Sequence, residues 1–371
     1  MTVVRKETTH EVLRKDQDFS FREGFINQVP MHLIFKHVTI PEKNAKIVRD
    51  YVAEKLKHFI SRLQKNILKA MDLYISECVE PKVIRDSRKT FTCIIAIPVA
   101  NIIVGEACIC DCYNEDLLET FRDLTFSIIK LLDALQCFLD DLEVTPDLDP
   151  NHVNYDCIAD SIGALIFAAM KTTSSSFTHV LYNLVKRKHQ YWQELYQEAQ
   201  KINKQCNENE LTTDDIVRMV KLDSFVKESL RLSNPITGLP HKCISKSYFT
   251  FANRYQVPRG RIVSLNYHDT NNDKELQGQN PIEFRAYHHL EHNSPATKLE
   301  CNFLIFGGRK HACPGKALAV NEIKVFLYKV LLKYNIRTDN EEIGPKRRYL
   351  GPAPAPINVG LVFEKRKEII N

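Results

Sequence analysis

The residues best equipped for chemistry gather in one segment of this 371-residue chain, Phe306-Gly307-Gly308-Arg309-Lys310-His311-Ala312-Cys313-Pro314-Gly315. Two adjacent glycines permit a tight loop, and Pro314 stands where the first turn of a helix accepts it. A helix beginning near Gly315 aims its unpaired N–H groups back at the sulphur of Cys313. That positive end, together with Arg309, Lys310 and His311, is expected to lower the thiol pKa and favour the thiolate. Thiolates do two kinds of chemistry, attack on electrophiles and ligation of metals, and the loop by itself does not choose between them. A cysteine that does neither is a small buried hydrophobe, the common fate of free Cys.

Further constellations are less specific. Glu228 and Arg231 lie three residues apart in Leu222–Leu232, so on a helix they share a face and can pair; a solvated surface pair is the default for such spacing. His288, His289 and His292 offer a metal site, although three histidines without a Cys or a carboxylate cluster fall short of the usual ligand set. Cys108, Cys110 and Cys112 invite a metal reading too, but an ordinary buried helix end suits them better.

These residues must be held by a large core. Hydrophobic residues make up 44% of the chain and charged ones 26%, the balance of a globular protein, and 12 Gly with 16 Pro argue against a turn-rich sandwich. The net charge of +5, from 51 basic and 46 acidic residues without a long basic block, does not announce a nucleic-acid binder. Eleven cysteines, an odd number, and an N-terminal stretch interrupted by charge from Arg5 to Lys15 point to free thiols in a reducing compartment and no signal peptide. Phe91 to Gly105 is too short for the ~20 apolar residues of a membrane span and holds Pro98 and Asn101, so it reads as a buried helix.

Apolar stripes Val48 to Leu63 and Leu117 to Leu131 predict helices. After the Pro- and Asp-rich break Thr145–Pro150, a nearly uncharged run predicts a long central helix from Val153 to about Lys186. Helices follow at Trp192 to Ile202 and Asp214 to Leu232. Short strands are predicted at Cys243 to Phe251 and Arg261 to Asn266, joined through the turn Val257-Pro258-Arg259-Gly260. A final helix spans Gly315 to Tyr334, and a strand pair lies near Ile357 to Phe363.

The thiolate segment resembles the cysteine-ligand loop of the cytochrome P450 family, Phe-x-x-Gly-x-(Arg/His)-x-Cys-x-Gly, at Phe306, His311, Cys313 and Gly315; Arg309 stands where the family has Gly. The wording around Cys313 resembles fungal members that oxidise terpenoids and gibberellins. The resemblance implies a mainly α fold with a small β portion (α+β). It also implies a single domain over residues 1–371 that lacks the family's N-terminal anchor and first strands, leaving a sheet edge unpaired. Cys313 would ligate the iron of haem b, with Phe306 and Gly315 shaping the loop, and His311, His241 and Lys242 aligned with the cations that meet the haem propionates. Glu228 and Arg231 resemble the family's Glu-x-x-Arg brace, with His288 by register in place of its second Arg, or Arg285 as substitute. Ala168-Ala169-Met170-Lys171-Thr172 resembles the oxygen-side helix pattern, with Thr172 as the proton-relay hydroxyl and Lys171 in place of the usual acid.

The activity so implied is insertion of one oxygen atom of dioxygen into a lipophilic substrate, terpenoids among the candidates. Apolar side chains from Ile162 to Phe167 would line its pocket. Electrons would come from NADPH by way of a flavoprotein reductase facing Lys310 and Lys316, at the cytosolic face of the endoplasmic reticulum. No nucleic acid is implied. One alternative is a truncated, non-catalytic or poorly coupled haem-binding remnant; another is a cysteine hydrolase with Cys313 as nucleophile and His311 as base.

Overall fold

The computed structural model describes residues 2–28, 45–46, 48–53, 55–104, 155–206, 210–233, 238–340, 349–350, 353–354 and 359–367. The expected stripe from Leu117 to Leu131, the break at Thr145–Pro150 and the cysteines 108, 110 and 112 lie outside the described residues. The chain opens with β1 (Thr2–Val4), α1 (Lys6–Arg14), β2 (Phe19–Ser20) and α2 (Phe21–Gln28). A π-helical turn, Val48–Ala53, leads towards α3 (Leu56–Tyr74), followed by β3 (Lys82–Ile84) and α4 (Ser87–Val104). The centre is α5 (Tyr155–Lys186), which runs through a π-turn (Lys188–Trp192) towards α6 (Gln193–Gln205).

The predicted helix Asp214 to Leu232 is two helices, α7 (Thr213–Arg218) and α8 (Val220–Ser233), because Met219 leaves helical geometry at ψ 66°. Thr212 and Asp215 cap α7 reciprocally, each side chain bonding the other's backbone N–H. The predicted strand Cys243 to Phe251 likewise divides: β4 (Gly238–Cys243) ends before the bend at Ser245-Lys246-Ser247, and β5 (Tyr248–Thr250) turns into β6 (Gln256–Pro258). There follow β7 (Ile262–Asn266), α9 (Tyr267–Asn271), α10 (Lys274–Gln277), α11 (His288–Glu291), a 3-10 turn (Arg309–His311), α12 (Lys316–Lys333) and β8 (Tyr334–Thr338). The short β9 (Tyr349–Leu350) and β10 (Ala353–Pro354) pair with each other, and β11 is Leu361–Lys365.

Helices dominate and the sheets are small, which is the α+β architecture expected. One sheet runs β1-β7-β4-β2, with β1 parallel to β7 and the other pairs antiparallel. The β4–β7 pair therefore has a neighbour on both sides, both from the first twenty residues. The other main sheet runs β3-β11-β8, so the terminal strand expected near Ile357 to Phe363 is Leu361–Lys365, zipped to Tyr334–Thr338.

The core is built where α4, α5 and α12 meet. Phe177 is fully buried, with ring centroids 4.9 Å from Phe91 and 4.0 Å from Phe326, both edge to face. This aromatic contact couples the helix carrying Thr172 to the helix that follows Cys313. No helix among the described residues is long and apolar enough to cross a membrane. Because close-packed rings leave a cavity that neighbours cannot fill, Phe177→Ala is expected to cost about 3–5 kcal/mol. Denaturant unfolding checks this, and a loss below about 1 kcal/mol would place the centre of the core elsewhere.

Candidate functional site

The segment around Cys313 folds as a closed loop. Its ends are tied by the backbone bond from Cys313 N–H to the Phe306 carbonyl, 2.7 Å. Gly307 adopts φ 71°, and a Cβ there would sit 2.9 Å from the His311 carbonyl, so no larger residue fits. Gly308 is extended, but a Cβ on it would come within 3.1 Å of Leu13, which is how α1 packs over the loop. Arg309 also lies in the left-handed region, at φ 51°. The loop thus keeps the bend that a glycine would give without strain, and an exposed arginine holds it at a conformational cost of about 1–2 kcal/mol. The Lys310 side chain lies outside the described set.

Gly315 is the N-cap of α12, and the backbone N–H groups of Gly315 and Lys316 point at the sulphur of Cys313. The thiol is free and half-buried. Burial pushes its pKa up, outweighing both N–H donors and the Lys316 ammonium, so the expected lowering does not occur. His311 does not act on the sulphur as a base: its Nε2 pairs with Asp16 Oδ1 at 2.8 Å. A neutral thiol without a base is a poor nucleophile. A bound metal supplies the positive charge that burial otherwise denies the thiolate, so this donor set suits ligation. Residues 311–319 form a continuous half-exposed run at the head of a helix that is buried along most of its remaining length.

The Glu228–Arg231 pair is almost wholly buried, unlike the surface pair that its spacing alone suggests. Arg231 donates Nε to Oε2 and Nη2 to Oε1 of Glu228, both at 2.8 Å, and Nη1 to the carbonyls of Asn271 and Pro281. Arg285 contributes its backbone N–H to Glu228 at 3.0 Å, whereas its side chain reaches the Gln277 carbonyl, so it does not substitute as a second guanidinium. The histidine at the brace also differs from the register reading. His289 bonds Glu228 Oε2 through Nε2 at 3.1 Å, while His288 Nδ1 lies 3.7 Å from that oxygen and faces the Arg285 carbonyl at 2.9 Å. Burial alone would raise the Glu228 pKa, but Arg231, His289 and the Arg285 N–H outweigh it and hold the carboxyl at about 2.

On the sheet side, His241 is fully buried and its Nε2 has no hydrogen-bond partner among the described residues. Burial lowers its pKa to about 4, so the ring is neutral at pH 7. It shares a pocket with His311 and Phe21, ring centroids 5.5–6.0 Å apart. Lys242 instead turns to Glu23 at 2.9 Å, partly exposed, which is the surface alternative for that residue. On α5, Ile162 and Ile166 are buried, while Ala168 and Thr172 are exposed and Ala164, four residues earlier on the same face, is half-buried. Of the residues expected to line a pocket, those two isoleucines are therefore core. The Thr172 hydroxyl donates to the Ala168 carbonyl at 2.7 Å.

Two participants escaped the sequence, Asp16 and Tyr267, and the role of His289 at the brace was read onto His288. Tyr267 is wholly buried, its hydroxyl has no partner among the described residues, and burial together with the neighbouring Cys313 raises its pKa well above the usual value. Neither Asp16 nor Tyr267 belongs to a local pattern that signals it.

The Cys313 thiol therefore stands at the entrance of α12, and on the sheet side His241 Nε2 has no hydrogen-bond partner among the described residues. The chain belongs to the cytochrome P450 family, whose model, Cytochrome P450, matches residues 111–356. Members of that family use haem. Similar proteins include cytochrome P450 monooxygenase 151 of Postia placenta, 30% identical over 221 residues that make up 57% of this chain and 43% of the relative. Cytochrome P450 monooxygenase janQ of Penicillium janthinellum is 30% identical over 234 residues, 61% of this chain and 46% of its own length. Rat cytochrome P450 4F4 is 26% identical over 215 residues, 57% and 39%. The chain thus spans less than half the length of these curated relatives.

Two outcomes follow from the geometry. Arg309→Gly removes the left-handed strain of an exposed residue and is expected to stabilise the protein by about 1 kcal/mol, read from the denaturant midpoint; an unchanged or lower midpoint contradicts the strain. The folded pKa of Glu228, about 2, lies below its unfolded value of 4.5, so its contribution is complete above pH 4.5 and is lost as the pH falls towards 2. Glu228→Gln should therefore be less stable than the wild type at pH 7, by about 3 kcal/mol, with the gap narrowing below pH 4.5.

Proposed function

We propose that this chain holds haem b through Cys313 and acts as a monooxygenase on a lipophilic substrate. The observation that carries the reading is the Cys313 sulphur: half-buried, faced by the N–H groups of Gly315 and Lys316, and bordered by the half-exposed run at the head of α12. Haem, when bound, supplies activation of dioxygen and transfer of one oxygen atom to the substrate. The protein's part is positioning. The two N–H groups stabilise negative charge on the sulphur and would temper how much of it a bound iron receives. The loop closed by Phe306 and Cys313 fixes the direction of that sulphur, and the Glu228–Arg231 brace pins the backbone of Asn271, Pro281 and Glu283 behind it.

His241 would meet a propionate through Nε2 only by taking up a proton or by moving its own from the nitrogen that faces the Leu239 carbonyl, and His311, whose Nε2 lies 2.8 Å from Asp16, would meet one through the rest of its ring. Lys242, drawn to Glu23, contributes at most long-range charge. The Thr172 hydroxyl spends its proton on Ala168 and keeps lone pairs, so it can accept from a relay water but must let go of the carbonyl to donate. Electrons from NADPH through a flavoprotein reductase, a terpenoid-like substrate and a site at the endoplasmic reticulum surface belong to the same reading. The half-exposed Lys316 is the cation that would meet an acidic partner, a contact that mainly raises association rate.

The reduced protein under carbon monoxide is expected to show the red-shifted Soret band of a thiolate-ligated haem, and Cys313→Ala is expected to lose that band. Retention of the band in the alanine variant would overturn the ligand assignment. The commitment of the Thr172 hydroxyl to Ala168 favours a second reading, a haem binder that turns over poorly. Product formed per NADPH consumed, with a purified reductase and a terpenoid panel, separates the two.

A further inference from the structure

The two histidines of the brace meet Glu228 side by side, and their geometry has a use beyond bracing it. Neighbouring residues on a helix normally diverge by about 100°, yet the rings of His288 and His289 lie 3.8 Å apart, inclined at 39°. Both turn to one carboxylate oxygen, Glu228 Oε2: His289 Nε2 at 3.1 Å and His288 Nδ1 at 3.7 Å. The three residues bring one ligand atom each to within 4.8 Å of one another. An ion bound at the 2.0–2.1 Å typical of zinc with tetrahedral angles separates its donors by about 3.3–3.4 Å. The two separations to Glu228 bracket that figure, and the third, between the two histidine nitrogens, is at most 4.8 Å, so a rotation of the His288 ring towards His289 completes three sides of a coordination shell.

The chemistry of the donors agrees. Imidazole and carboxylate are both donors that zinc takes, and His289 is buried directly against Glu228. Glu228 is ionised. Among the described residues Arg231 is the one guanidinium or ammonium bonded to it. On its outer side His288 lines a cleft of about 460 Å³ together with Glu283 and Glu291, whereas Glu228 and His289 lie buried behind it. Glu291 stands three residues after His288, on the same helical face, and can offset the ion's second charge or hold its fourth ligand, a water. Arg187 and Arg285 line the cleft as well, but each is otherwise engaged. Arg187 stacks on Phe284 at 4.0 Å and bonds Asn183, and Arg285 bonds the Gln277 carbonyl.

We propose that Glu228, His288 and His289 form a binding site for one divalent transition-metal ion of the zinc class, which locks the short helix α11 to α8 across the brace. On binding, each imidazole presents a lone pair at the nitrogen facing Glu228 and carries a proton on the other nitrogen. The hydrogen bond from His289 to Glu228 and that from His288 to the Arg285 carbonyl are exchanged for metal bonds. The ion stabilises the folded chain by mass action. The site is independent of Cys313 and of any haem.

Zinc chloride titrated into the purified full-length protein, with chelator-washed protein as reference, tests the site. Expected are one retained zinc per chain, a thermal midpoint that rises with zinc concentration, and a zinc-edge X-ray absorption spectrum with only nitrogen and oxygen neighbours near 2.0–2.1 Å. His288→Arg and His289→Gln, each able to keep a hydrogen-bond donor near Glu228, should bind zinc at least ten-fold more weakly and lose the midpoint shift. Equal retention by both variants overturns the proposal. So does sulphur at about 2.3 Å in the wild-type spectrum, which would place the ion on cysteines. Because that spectrum is read on the unmodified chain, the test stands even if a variant does not fold.

Discussion

The arrangement depends on one buried negative charge. Glu228 lies fully inside the protein and accepts from the guanidinium of Arg231, the imidazole of His289 and the backbone N–H of Arg285. A carboxylate so placed is tolerable only because nearly every lone pair is taken. Arg231 in turn spends Nη1 on two carbonyls that no helix or strand satisfies, those of Asn271 and Pro281. The segment between β7 and the cysteine loop has little regular structure of its own, and this ion pair stands in for the hydrogen bonds a sheet would give it. Its contribution lies in geometry as much as in stability, since a buried pair returns little net energy but allows few alternative arrangements.

The cysteine site inherits that order. The Phe306–Cys313 loop is pinned by its own backbone bond, by Leu13 against Gly308 and by Asp16 on His311, so α1 and the turn after it hold the loop from one side while α12 extends from the other. The sulphur's high pKa follows from the same enclosure. Helix dipole and lysine act on it as the sequence suggests, but removal from water outweighs them, and the thiol awaits a partner cation to ionise.

What was legible in the sequence is what rests on local rules. The central helix was expected from Val153 to about Lys186 and runs Tyr155–Lys186, because its apolar surface is continuous and no breaker interrupts it. The helix after Cys313 begins beyond Pro314 and Gly315, as their backbone preferences require. The buried apolar helix around Phe91 likewise forms, with Pro98 inside it. Illegible features need the third dimension. Whether His288 or His289 meets Glu228 depends on where α11 docks, and Asp16 finds His311 across 295 positions of chain. The break at Met219 and the bend at Ser245 fall between residues whose patterns read through them. The split of Ile162 to Phe167 into buried and half-buried positions is set by which face α5 turns to its neighbours.

The sheet that carries His241 joins the first twenty residues to residues 238–266. Thr2 pairs with Val263, and Phe19 with Cys243, so the outermost strands leave the ribosome more than two hundred residues ahead of their partners. Contacts of such long range slow folding and keep short, unpaired strands in circulation during synthesis. A chain wired in this way has reason to engage chaperones early, and a translational pause before residue 263 would prolong its exposure to aggregation more than one after it.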